Sequence, residues 1–151
     1  RIMANHSVTD KIVCSGALLY SRHARRFLLI QKAHGKHEGT WGLVGGTNHE
    51  DENPWHGLQR EIQEEIGFVP QFIKTMPLET FVSNDNVFNF HTYFCIIDDE
   101  FIPTLSSEHT AWGWFDLHSL PKPLHSGLSL SLRNKIIQAK IQTIIDILDI
   151  V

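Results

Sequence analysis

The chain has 151 residues, 42% of them hydrophobic and 20% charged, which suits one globular domain with a real core and excludes a disordered or fibrous polymer. Its formal net charge of −4 gives no overall attraction for nucleic acid or an anionic membrane, so neither is expected as a partner. Two cysteines, Cys14 and Cys95, fall in strand-like runs without zinc-ligand spacing and read as reduced core residues.

Taken in order, Lys11–Tyr20 and Arg26–Ala33 read as a hairpin of strands around the polar turn Ser21–Arg25. No charged-then-apolar leader opens the chain, which predicts no secretory signal and a cytoplasmic protein. A glycine-containing loop, His34–Thr40, leads to a short strand Trp41–Val44 stopped by Gly45-Gly46. Asn53-Pro54 opens a helix, with Asn as N-cap and Pro at the first helical position, and Gly67 closes it. A second hairpin follows, Gln71–Val82 and Val87–Ile97, turning at Ser83–Asn86. Thr110–Asp116 is a further strand, Leu117–Leu120 a short helical turn, and a last helix runs from about Ser129 to the end. In that helix Ile137, Ile141, Ile144 and Leu148 repeat at helical spacing, while Arg133, Lys135, Lys140, Asp146 and Asp149 interrupt it too often for a membrane span. Ile136 and Ile147 lie off the stripe, open either to a homodimer contact or to deeper packing. The whole predicts a single α+β domain over residues 1–151.

Chemistry concentrates in Gly46 to Phe68, GTNHEDENPWHGLQREIQEEIGF. On a helix, Trp55, Leu58, Ile62 and Ile66 form one apolar stripe, and Glu61, Glu64 and Glu65 gather on another face at i,i+3 and i,i+4 spacing. Carboxylates placed this way repel, which a fold gains from only if a cation sits between them; Mg²⁺ or Mn²⁺ takes such oxygen ligands. A solvated acidic face is the plain alternative.

The residues Gly46, Glu52, Arg60, Glu61, Ile62, Glu64, Glu65, Gly67 and Phe68 fill every fixed position of the box of the Nudix hydrolase family, which this chain resembles. The resemblance implies the Nudix fold, an α/β/α sandwich with a mixed β-sheet, and Mg²⁺- or Mn²⁺-dependent hydrolysis of the pyrophosphate bond in a small-molecule nucleoside diphosphate derivative. It implies metal ligation by Glu61, Glu64 and Glu65 with a backbone carbonyl of Gly45 or Gly46, and a supporting pair in Glu52 and Arg60. The catalytic base it implies is a box glutamate, Glu61 or Glu64, or a later loop glutamate, for which Glu108 is placed. The run before the box, Leu43-Val44-Gly45-Gly46, lacks the proline many members carry, which bears on the loop's rigidity and leaves the glycines.

Arg26 and Lys32 could meet phosphates if the first hairpin borders the box, or be strand-edge charges. His34, His37, His49 and His56 cluster in sequence but without zinc spacing. Among Phe81, Phe88, Phe90, Tyr93, Trp112 and Trp114 most are expected in the core, with Trp112 or Trp114 open to stacking on a base. Two rivals stand beside the hydrolase: a Nudix-fold sensor that binds a nucleotide without cutting it, and an isoprenoid diphosphate isomerase, which needs a cysteine at the metal.

Overall fold

Strands alternate between two buried faces, and that alternation builds the core. A computed structural model describes residues 11–150; the leader reading concerns residues outside that range. The strands are β1 (Ile12–Ser21), β2 (Arg26–Lys32), β3 (Trp41–Gly42), β4 (Val44–Thr47), β5 (Lys74–Val82), β6 (Phe88–Ile97) and β7 (His109–Phe115). The helices are α1 (Pro54–Ile66), α2 (Ser126–Arg133) and α3 (Lys135–Ile150). Ala17, Leu19, Leu28, Ile30, Val44, Cys95, Ile97 and Trp114 pack under Leu58, Ile62 and Ile66 of α1. Their neighbours of opposite parity, Leu18, Tyr20, Phe27, Phe94 and Ile96, pack with Ile137, Ile141 and Ile145 of α3. The outcome is the expected three-layer sandwich of α+β class. Among the described residues no helix is long and apolar enough to cross a membrane.

The sheet is mixed, in the order β3-β2-β1-β6-β5, with β1 and β6 parallel and the other pairs antiparallel. Its central feature is a seam. β1 pairs with β2 only at Leu19–Ser21; farther along, β2 pairs with β3 at Ile30 and Gln31, while β1 pairs with β4 from Cys14 to Ala17. The segment Trp41–Thr47 therefore fills the gap where β1 and β2 part, and the carboxyl half of α1 lies above it.

Several elements differ from the sequence reading. Gly45 and Gly46 do not stop a strand but lie inside β4. A Cβ on Gly45 would stand 2.1 Å from the Ser15 carbonyl oxygen, so close approach to β1, not a turn, requires glycine. The last helix breaks at Asn134, whose backbone is extended and whose side chain caps α3 by accepting from Ile136 N–H (2.9 Å) and Ile137 N–H (3.2 Å). Leu117–Leu120 is a hydrogen-bonded turn, not a helical one. Cys95 is fully buried, but Cys14 only partly, with its sulfur 3.5 Å from the Thr47 hydroxyl; both are free thiols. Ile136 and Ile147 are exposed and not packed deeper.

Ile62 has no exposed surface and sits at the contact of α1 with the sheet. Ile62→Ala removes buried methyl groups and leaves a cavity, and urea unfolding should show a loss of about 3 kcal/mol.

Candidate metal and diphosphate site

The site begins with the start of α1. Asn53 accepts from the N–H groups of Trp55 (2.9 Å) and His56 (3.4 Å), Pro54 takes the first turn, and Gly67 ends the helix in the left-handed conformation at φ 93°. With both ends fixed and the apolar stripe buried, the rotation of the helix is set, and so is the direction of its acids.

Those acids do not share one solvated face. Glu65 lies beside the apolar stripe, three residues after Ile62, and its side chain is only 8% exposed. One carboxylate oxygen accepts from Gly45 N–H at 2.7 Å. Burial pushes its pKa up to about 8, Glu61 and Glu108 add to the rise, and the Gly45 hydrogen bond and Lys32 oppose it. Glu61 is 16% exposed, and its carboxylate lies on Gly46: a Cβ there would stand 2.4 Å from the Glu61 carboxyl carbon. Burial raises the Glu61 pKa as well, against the pull of Arg60. Gly46 is thus needed for the seat of Glu61, and Gly45 donates to Glu65.

Arg60 ties the remaining acids together. It binds Glu52 through two nitrogens (2.8 and 3.0 Å), donates to the Thr47 carbonyl at 3.0 Å, and reaches Glu61 and Glu64 at 3.1 Å each. The Arg60 hydrogen bonds and the His49 N–H hold the Glu52 carboxyl down at about 2. Among the described residues no three acidic, histidine or cysteine side chains already converge as a metal cage, because Glu64, 54% exposed, turns to Arg60.

Lys32 reaches this place and Arg26 does not. Lys32 follows Leu28 and Ile30 on the α1 face of β2, and its charge acts on Glu65. Arg26 starts the same strand, about 20 Å away at 3.3 Å per residue, and is committed to Glu100 through two hydrogen bonds of 2.7 and 2.6 Å. Glu108 is exposed in the loop leading into β7, near enough to raise both Glu61 and Glu65. Trp114 is core, its indole N–H donating to Phe101 O at 3.1 Å; Trp112 lines a shallow hollow with Arg26, Glu100 and Ile102.

His109 was not singled out by sequence reasoning. It is buried, its Nε2 lies 3.8 Å from Glu65 Oε2, and burial pulls its pKa down to about 4. Its place directly after Glu108 was the available signal.

The donor set suits a hard divalent cation: buried carboxylate oxygens beside the half-buried backbone of two glycines, with no lysine or arginine ion-paired to Glu65 among the described residues. Glu61, Glu64 and Glu65 and a Gly45 or Gly46 carbonyl are the groups able to hold it.

A family model described as the NUDIX domain matches residues 11–134. The chain belongs to the NUDIX domain family. Nudix hydrolase 7 of Arabidopsis thaliana is 31% identical over 67 residues, and Nudix hydrolase 6 of the same plant 33% over 63 residues. These matches span 43% and 40% of this NUDIX chain but only 24% and 22% of the relatives. A MutT NUDIX hydrolase from Burkholderia pseudomallei superposes with a TM-score of 0.62 at 26% identity, over 80% of this chain and 95% of that one. The NUDIX domain of Shewanella oneidensis NrtR, solved with ADP ribose, shares the fold at a TM-score of 0.65 and 21% identity, over 88% of each chain.

The buried acids set a pH dependence. An acid whose folded pKa lies above its unfolded value stabilises the fold while protonated; for Glu65 that contribution is full below about 4.5 and lost as pH rises through about 8. His109 acts oppositely and lower, its contribution lost as pH falls from 6.5 through about 4, and Glu52 lower still, from 4.5 through about 2. Without divalent ions the thermal midpoint should therefore fall between pH 6.5 and 8.5. Glu65→Gln should flatten that fall, and Mg²⁺ should raise the wild-type midpoint at pH 8.5; an unchanged slope in Glu65→Gln would contradict the assignment.

Proposed function

We propose that this NUDIX chain hydrolyses the pyrophosphate link of a nucleoside diphosphate joined to a second group, using Mg²⁺ or Mn²⁺. The observation that carries this is the burial of two carboxylates, Glu61 and Glu65, against the glycine backbone of β4, where their raised pKa values call for a cation. A divalent ion held there supplies charge to offset the phosphate oxygens and acidifies a water.

The chain's own groups do the rest. Lys32, half-buried at the rim, meets a phosphate oxygen. Arg60, locked by Glu52, steadies Glu61 and Glu64, and exchanges Glu64 for a new partner at little cost because that contact is exposed. Glu108 is our choice of base: its carboxylate is exposed at the mouth and, unlike Glu64, is not engaged by Arg60. It takes the proton of the attacking water, and the leaving phosphate departs toward Lys32.

Cysteine placement argues against isomerase chemistry. Cys14 points to the α3 face with Leu18, away from the glutamates, and Cys95 is sealed beneath α1 with its thiol pushed up to about 12 by burial. For substrate, ADP-ribose and dinucleoside polyphosphates come first, since fold neighbours include a domain solved with ADP ribose and a C. elegans Ap4A hydrolase; nucleoside triphosphates and nucleotide sugars complete the set.

Mg²⁺-dependent cleavage of these compounds into two phosphorylated products, separated by anion-exchange chromatography, tests the reading. Glu65→Gln and Glu64→Gln should lower kcat at least about a hundredfold while keeping the fold, since they act on transition-state charge. Glu108→Gln should lower kcat similarly. Tight ADP-ribose binding with no turnover by the wild type would instead support a sensor domain.

A further inference from the structure

Alternation along β7 assigns Trp112 and Trp114 to the face beneath α1, so His109, of opposite parity, belongs on the other face. It is not there. Gln31 pairs with Ala111 but Lys32 pairs with His109, leaving Thr110 as an extra residue in a β-bulge. The bulge shifts the parity by one and turns His109 onto the α1 face, opposite Lys32 and against Glu65. Sheet geometry has thus been broken at one point, and the result is to aim one side chain at one carboxylate.

Once there, the imidazole has little else to do. Its side chain is 4% exposed, and Nδ1 is buried without a hydrogen-bond partner among the described residues. A plain core position would favour an apolar residue, since a buried polar atom left unpaired is costly. Nε2 is the nitrogen that faces Glu65 Oε2, at 3.8 Å, and Oε2 is the oxygen not already engaged by Gly45. A closing movement of about 0.6 to 0.9 Å, within reach of a side-chain torsion, brings the pair to hydrogen-bond length.

We propose that His109 is a positioning residue, a neutral N–H donor that holds Glu65 in the orientation needed to ligate a divalent cation. Together, Gly45 N–H on one oxygen and His109 Nε2–H on the other fix the carboxylate plane. A neutral donor suits the position, because a lysine or arginine there would compete with the cation for the same oxygen. The inference rests on the metal reading of Glu65 given above.

Mn²⁺ binding to the full chain, read from the EPR signal of free Mn²⁺ without substrate, separates the two. His109→Leu should weaken Mn²⁺ binding by at least about tenfold, as loss of such a partner does, with no fall in thermal midpoint. His109→Gln, whose amide N–H reaches the same place, should stay within about threefold of wild type. Leu binding Mn²⁺ as tightly as wild type would overturn the inference and leave the metal reading intact, whereas a wild type that binds no Mn²⁺ would sink both. Should the Leu variant not fold, the wild-type imidazole decides through ¹⁵N–¹H correlation: proton on Nε2 supports the role, proton on Nδ1 overturns it.

Discussion

Burying a carboxylate between a helix and a sheet is unfavourable unless something meets its charge. Glu65 is held in that position by the fit of α1 onto the seam, and much else in the chain follows from tolerating it. Gly45 must lack a side chain so that β4 can press against β1, and the same backbone then donates to Glu65 at 2.7 Å. Gly46 must lack one so that Glu61 can lie over the strand. The helix must not rotate, which its Asn53 cap, its Gly67 stop and the Leu58–Ile62–Ile66 stripe ensure. These requirements belong to one arrangement: a charged group kept at the edge of the core, stable only in company.

The seam explains why this arrangement sits where it does. In a fully paired sheet, backbone groups near the centre are consumed by neighbouring strands. Here β1 and β2 part, and a single crossing segment serves both. That segment carries two adjacent glycines past the last turns of α1, giving side chains from the helix direct access to backbone. Arg60 performs the complementary task on the outer side, drawing Glu52, Glu61 and Glu64 to one guanidinium and spreading negative charge that would otherwise repel along the helix.

Much of this was legible in the residues. The acids at 61, 64 and 65 and the stripe at 58, 62 and 66 announce themselves because helical spacing converts directly into angle. Hairpins were legible because alternation and turn residues are local signals. What escaped depended on non-local contact. Nothing near Gly45 in sequence says that Ser15 will lie against it, so a glycine pair inside a strand reads as a stop. Helix angle puts Glu65 on one face with Glu61 and Glu64, but it gives direction and not the depth of the neighbouring loop, so the burial of Glu65 does not show in the sequence. Arg26 and Lys32 look equivalent as strand-flanking cations; only the pairing of β2 shows that one end meets the site and the other meets Glu100. Asn134 reads as one polar residue among others until its own side chain is seen capping the next helix.

His109 is the sharpest of these cases. A bulge is set by register between two strands far apart in sequence, and it inverts which residues face which layer. Parity counted from Trp112 and Trp114 sends His109 to the wrong side, so a reading by pattern alone discards it, however close it stands to Glu108. The same inversion is what makes the position informative. Regular pairing would have brought the neighbour, Thr110, to the α1 face at no structural cost, with a shorter side chain than the imidazole. Giving up one regular pair brings a longer, neutral donor into a place where charge would interfere, and that exchange gains nothing for the core.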